Sequence, residues 1–377
     1  MGGTPEKVAV LMLAYGGPDS LDEVEPFLRR IMAPREPSEE TIARATERYR
    51  AIGGRSPLVG NTLLQARLLQ ERLDAAGVAL GLGGRGVSFH VVPGMRHTAP
   101  SIHDAVRRAV TGSDGTIVAL IMASHQSERA TGAYLREVSA SFEGLSAEEG
   151  SGAAAPLWVD TWHTSALFVE AVAERVREAL ARLDSGPKAV TAAGDANPAG
   201  VGADDADRAD AASVIDDANH AAAADDDTAV LFTAHSLPLV NGEGDPEYER
   251  ALLATAEGVM SLVGDRPWRL AYQSASAARG GRWLGPRVED SLRELATVGL
   301  RKVVVAPLGF VSEHLETLYD LDIDLAGEAL EAGVVMTRAA TVHDSPKFIE
   351  ALAEAVVACV RGRGVQRGKG RPVKVRA

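Results

Sequence analysis

Apolar positions along the chain follow two rhythms. Short unbroken runs at residues 8–14, 87–92, 116–123, 229–234, 268–273 and 302–308 read as strands buried on both faces. Between them, apolar residues recur three and four apart, which predicts amphipathic helices at about 21–28, 38–52, 61–76, 101–110, 131–142, 166–183, 246–263, 287–297 and 345–360. Shorter runs at 157–160 and 333–338 complete the strand set. Ser20 with Glu23, and Ser38 and Thr41 beside Glu39 and Glu40, predict helix starts of the capping-box kind. Strands and helices alternate through one half of the chain, and the pattern then recurs. Such alternation builds parallel sheets through right-handed crossovers. The expected fold is α/β: two Rossmann-like domains, each a four-stranded parallel sheet flanked by helices. We expect a first domain over 1–165, a second over 166–345, and a C-terminal helix with a basic tail over 346–377.

Composition changes this picture in one place. Residues 189–228 hold ten Asp and one Arg among Ala and Gly, with almost no large apolar side chain. Such a segment buries too little to offset its ordering entropy, so we expect a disordered insertion in the second domain. The last 17 residues hold seven Lys or Arg and no acid, so the net charge of −13 averages over local extremes. No basic stripe suggests a nucleic-acid surface. The longest apolar runs fall far short of a membrane span, and the N-terminus lacks the layout of a signal peptide, so a cytoplasmic protein without stable membrane insertion is expected. The single cysteine, Cys359, excludes a disulfide framework, a zinc-thiolate site and a four-cysteine iron–sulfur cluster within this chain. The letters G-x-G-x-x-G at 81–86 precede a strand instead of leaving one, which argues for a turn and against a dinucleotide site.

In parallel α/β sheets, ligands bind beyond the carboxyl ends of the strands. Tyr15, Met95, Arg96, His97, His125, His235, Gln273 and the stretch 313–316 fall there. The densest chemistry is the stretch 309–325, GFVSEHLETLYDLDIDL. Glu316, Asp320 and Asp324 are spaced by four, so on an α-helix they drift only about 40° per step and form one stripe. Carboxylates in a row can hold a hard cation and pass it on. An imidazole such as His235 can ligate a metal or take a proton near neutral pH. Together they describe a site that exchanges a metal ion for protons.

Several motifs, in this order, resemble the ferrochelatases. They are LAYGGP at 13–18, RYRAIGGRSPL at 48–58, TAHSLP at 233–238, YQS at 272–274 with WLGP at 283–286, and GFVSEHLETLYD at 309–320. The resemblance covers nearly the whole chain except 189–228 and the tail. It implies insertion of Fe²⁺ into a porphyrin in haem synthesis. It also implies that His235 and Glu316 meet the iron and the pyrrole protons, with Tyr15 on the opposite porphyrin face. Arg48, Ser56 and Tyr134 match porphyrin-contacting positions. His314, Asp320 and Asp324 match a supporting acidic row that follows a widened, π-type turn. The segment 124–132 departs from the family pattern, and Met32 stands where many relatives carry arginine. No permanently bound cofactor and no [2Fe–2S] cluster are expected; the partners are the porphyrin and Fe²⁺, and the protein is expected to be a monomer. Coproporphyrin III is the expected substrate, with protoporphyrin IX as the alternative. A cobalt or nickel tetrapyrrole chelatase and a non-enzymatic haem carrier are the rival readings. Deleting residues 189–228 is expected to leave folding and metal insertion largely intact; loss of the circular-dichroism signature of the fold in that variant would refute the insertion reading.

Overall fold

Strand β1 (Glu6–Ala14) is the spine of the first half, with Val8 to Leu13 wholly out of solvent. The computed structural model describes residues 5–77, 86–149, 155–159, 161–185, 227–275 and 282–366. β1 pairs in parallel with β2 (Val87–Met95) and β3 (Thr116–Ile121), and β3 with the short β4 (Leu157–Trp158), in the order β2-β1-β3-β4. The second half repeats this with β5 (Thr228–His235), β6 (Trp268–Gln273), β7 (Lys302–Ala306) and β8 (Val335–Arg338), in the order β6-β5-β7-β8, again all parallel. The two four-stranded parallel sheets match the expected class. The glycine-rich turn at 81–86 and the insertion at 189–228 fall almost wholly outside the described residues, as does most of the basic tail. Gly86, Asp227 and Thr228 are described: Asp227 accepts the Lys302 N–H, and Thr228 already belongs to β5.

The helices are α1 (Val24–Met32), α2 (Glu39–Ala51), α3 (Leu58–Gly77), α4 (Ile102–Gly112), α5 (Glu128–Glu149), α6 (Ala166–Asp184), α7 (Pro246–Val263), α8 (Val288–Thr297), α9 (Leu315–Leu318), α10 (Ala326–Glu331) and α11 (Pro346–Gln366). Ser38, Ser101 and Asp245 cap α2, α4 and α7 by accepting backbone N–H groups three residues on. The box expected at Ser20 does not form. Ser20 makes no side-chain cap, Leu21–Glu23 is a 3₁₀ turn, and the Glu23 carboxylate accepts from the Asp19 N–H at 2.9 Å. Pro26 supplies the reason: proline is tolerated only in the first turn of a helix, so α1 starts at Val24. Helix α5 starts three residues before the expected boundary because Ser127 caps it, accepting from the Ala130 N–H at 3.1 Å.

The apolar layers hold this arrangement. Fully burying a side chain such as Leu11 or Phe232 contributes roughly 1.5–3 kcal/mol. An exposed ion pair such as Arg29–Glu25 contributes at most about 1 kcal/mol. Helix α11 contacts α3 and β3 of the first half as well as α6, with Phe348 against Trp162 at a ring separation of 5.6 Å. A second tie between the halves runs from α3, where the Gln65 amide donates to the carbonyls of Val311 (3.1 Å) and His343 (2.8 Å).

One close approach positions the carboxyl edge of the second sheet. After β7 the chain turns at Gly309, whose N–H donates to the Thr233 carbonyl at 3.1 Å. A Cβ placed on Gly309 would lie 2.9 Å from the Ala234 Cβ and 3.0 Å from its Cα, too close for real side chains. Gly309→Ala is therefore expected to lower stability by about 1–3 kcal/mol, read as a lower thermal midpoint; a midpoint equal to the parent's would show that the two loops can separate freely.

Candidate functional site

His235 is the last residue of β5, and Gln273, the last of β6, is its register partner. The parallel ladder therefore sets both side chains on one edge. The Gln273 amide donates to the Glu316 carbonyl at 2.6 Å, and the Tyr248 hydroxyl donates to the His235 carbonyl at 3.1 Å. Glu316 thereby reaches His235, its Oε2 lying 3.0 Å from Nδ1. His314 Nε2 lies 3.7 Å from the same oxygen. The backbone carbonyl of Ser312 faces His314 Nδ1 at 3.1 Å and accepts its proton, which leaves Nε2 turned to Glu316. Burial opposes the charge on Glu316, but His235 and His314 prevail and hold its carboxyl well below the usual range. His235 and Glu316 keep about a third of their side-chain surface open, 37% and 31%. Among the described residues, no group of three or more His, Cys, Asp or Glu side chains is gathered as a metal cage.

Beyond Glu316 the helix widens. Residues Asp320–Leu325 form a π-helical turn, and the Tyr319 carbonyl accepts from the N–H groups of both Ile323 and Asp324 at 3.0 Å. Such turns occur often at functional sites. Asp320 is engaged by the Arg48 guanidinium and by the Ser274 hydroxyl. Arg48 also lies 4.7 Å over the Tyr319 ring, so this first-half residue closes on the acidic row. Burial, with a smaller push from Glu289, raises the Asp324 carboxyl, against Arg48. The stripe expected of Glu316, Asp320 and Asp324 assumed an α-helix, whereas Asp320 and Asp324 lie in the π-helical turn and the three carboxylates meet different surroundings.

In the first half, Tyr15 follows β1 and is 40% exposed. Its ring tilts over His97 at 4.5 Å and meets Phe27 edge-on at 6.3 Å. Burial, then Arg96 and Arg30, pushes His97 down to about 4, which keeps the imidazole neutral. Ser56 and Tyr134 are buried. Ser56 packs behind Gly17, where a Cβ would come within 2.7 Å of it, and Tyr134 lies under the Arg96 guanidinium at 6.0 Å. Of the four residues expected to meet a porphyrin, Tyr15 and Arg48 present the open surface. Tyr49, which the sequence reading did not single out, feels both Glu316 and Tyr15; burial, then those two groups, raises its phenol. Only its place in the RYRAIGG motif marked it in the sequence.

Two expectations from the strand ends change. His125 does not face the cleft. It is 3% exposed, with Ser124 Oγ 2.8 Å from Nδ1 and Thr255 Oγ1 of α7 3.0 Å from Nε2, so it bridges the halves. The unusual segment 124–132 likewise acts as a tie: Ser127 donates to Asp245 at 2.6 Å, and Arg129 donates to the carbonyls of Glu243 and Gly244.

The sequence is described by the family model for ferrochelatase over residues 7–193 and 209–359. It is 32% identical to a ferrochelatase of Herpetosiphon aurantiacus, covering 93% of this chain and 98% of that one. It is 30% identical to a coproporphyrin III ferrochelatase of Anoxybacillus flavithermus, covering 95% and 98%. Among solved structures it is similar to SirB from Bacillus subtilis with Fe³⁺, at a TM-score of 0.50 and 12% identity, covering 96% of this chain and 98% of that chain. The paired parallel sheets share the fold of SirB; the family model and the curated relatives make the chain a metal-chelating lyase. Within that class, the chain belongs to the ferrochelatase family.

His125 generates a pH prediction. Burial, then His163, pushes His125 from 6.5 down to about 3, so the unfolded chain binds the extra proton between those values. Stability is full above about pH 6.5 and falls as pH drops toward 3, by at most ~1.4 kcal/mol per unit for one group. His125→Gln is expected to flatten the fall of thermal midpoint over that window; an unchanged slope would show that His125 does not contribute to it.

Proposed function

We propose that this protein inserts Fe²⁺ into coproporphyrin III, giving the iron porphyrin and releasing two protons, with His235 and Glu316 as the catalytic pair. The observation that carries the reading is the 3.0 Å approach of Glu316 to His235 at the mouth of the acidic row. A planar porphyrin hides its nitrogen lone pairs, and each pyrrole N–H must lose its proton as the metal enters. His235 Nδ1 faces Glu316, which leaves Nε2 for the substrate. An imidazole that takes a pyrrole proton becomes a cation, and the ionised Glu316 stabilises it. The same carboxylate attracts Fe²⁺, a labile ion for which oxygen ligands are weak, so release to the macrocycle is favourable. Asp320 and Asp324 continue the acidic path outward, with Arg48 on the Asp320 end. Tyr15 offers an oxygen and an aromatic face to the other side of the ring.

Support for coproporphyrin III comes from two sides. Relatives from Anoxybacillus and Geobacillus carry that substrate in their names, although others of similar identity are named ferrochelatase alone. Coproporphyrin III also carries propionates where protoporphyrin IX carries vinyls, and the Arg30 guanidinium stands near Tyr15, donating at 2.7 Å to the carbonyl of His97, the residue against which the Tyr15 ring lies. No helix among the described residues is long and apolar enough to cross a membrane.

Initial rates with both porphyrins and Fe²⁺ under anaerobic conditions test the reading. Faster insertion into coproporphyrin III is expected, and a preference for protoporphyrin IX, or for Co²⁺ over Fe²⁺, would overturn it. His235→Ala and Glu316→Gln are each expected to lower kcat by roughly a hundredfold or more while porphyrin binding, followed by absorbance, persists. Parental rates in both variants would favour a haem carrier.

A further inference from the structure

Five carboxylates crowd the stretch 313–324, and their partners sort them. Asp320 is engaged by Arg48. Glu313 and Asp322 share a single guanidinium, that of Arg338, the last residue of the edge strand β8. Arg338 Nε and Nη2 donate to Asp322 Oδ1 and Oδ2 at 2.5 and 2.8 Å, a two-pronged contact. Its Nη1 donates to Glu313 Oε1 at 3.1 Å, an oxygen that also accepts the Thr341 N–H at 3.0 Å. The Arg338 side chain is only 13% exposed and Glu313 21%, whereas Asp322 keeps 34%, so the fork reaches from a part-buried carboxylate to one nearer the solvent.

The positions matter more than the pairing. Glu313 immediately precedes His314, whereas Asp322 lies in the π-helical turn. Everything between them, namely His314, Glu316, Tyr319 and Asp320, hangs between two points held by one side chain. Further holds are the Gln273 amide on the Glu316 carbonyl, the Arg48 and Ser274 contacts to Asp320, and Arg48 over the Tyr319 ring. β8 is itself fixed to β7 in register, Val305 opposite Arg338. The ends of the segment are thus referred to the same sheet that carries His235. We propose that Arg338 is a positioning residue for metal insertion: it staples the two ends of the segment bearing His314, Glu316 and Asp320, and so sets the approach of Glu316 to His235. This rests on the reading of His235 and Glu316 as the catalytic pair.

Steady-state insertion of Fe²⁺ by Arg338→Met, Arg338→Lys, Glu313→Gln and the double variant Arg338→Met with Glu313→Gln tests it, with thermal midpoints measured alongside and assays run well below each midpoint. Arg338→Met is expected to lose about tenfold or more in kcat, with KM for the porphyrin unchanged, because small displacements of a reacting group are costly. Arg338→Lys is expected to recover stability but not kcat, since an ammonium cannot fork across two carboxylates. The double variant is expected to lose less than the product of the single losses, as residues acting through each other do. Should Arg338→Met not fold, Asp322→Asn carries the test: it frees one end of the staple, and the same loss confined to kcat is expected. Parental kcat in the folded variants, or a kcat that recovers with stability in Arg338→Lys, overturns the proposal. His235→Ala and Glu316→Gln measured in parallel separate the two failures. If they lose activity while the Arg338 variants keep it, the staple alone is wrong; if they too keep it, the site reading falls and the staple with it.

Discussion

A carboxylate that must stay ionised while largely enclosed by protein is the constraint around which the second half is arranged. Burial alone would raise the affinity of Glu316 for a proton. Two imidazoles on its Oε2 side reverse that outcome, and both need exact support from the backbone. His235 is aimed by its place at the end of a central parallel strand. His314 is aimed by its own capping turn, in which its N–H takes the Thr317 hydroxyl while its side chain turns back toward the Ser312 carbonyl. Gln273 pulls the Glu316 backbone to the same strand edge. The close contact at Gly309 lets the loop after β7 lie against the strand that ends in His235.

The acidic row is less uniform than its spacing suggests. Arginines from two directions, Arg48 from the first half and Arg338 from the far edge of the second sheet, take up three of the five carboxylates. Glu316 is left to histidines, and Asp324 is half-buried with a raised affinity for a proton. A cation moving along this surface, as proposed, would meet sites of unequal strength, not a continuous negative strip. The π-helical turn contributes by spreading Asp320 to Leu325 over a wider turn, which lets Asp320 and Asp322 reach arginines on opposite sides.

The strands were legible because parallel strands covered on both faces read as unbroken apolar runs, and 268–273 needed no correction at either end. Helix starts were legible where a single Ser or Asp does the capping, as at Asp245. They failed at Ser20, where Pro26 rules out the earlier start, and at Ser127, which looked like a loop residue because the turns before and after it are polar. The shared edge of His235 and Glu316 was legible because one ends β5 and the other lies in the segment that follows β7. The same logic misplaced His125: a strand end says which edge a side chain leaves, not whether another domain has already covered it. Arg338 gave no signal at all. It is an ordinary strand arginine until the fold brings Glu313 and Asp322 to it from elsewhere in the chain, and no periodicity encodes a contact of that kind.

The two sheets share one strand order, and in each the second position is taken by the strand that comes first in that half, β1 or β5. Tyr15 directly follows the end of β1, and His235 closes β5. A phenol and an imidazole thus occupy counterpart stations on two copies of one scaffold. A flat substrate held between them, as proposed above, would meet opposite chemistry, a weakly acidic oxygen on one face and a basic nitrogen with a carboxylate behind it on the other. On that proposal, the face from which a metal approaches is set by a handful of side chains at the strand ends, while the architecture beneath them is the same on both sides.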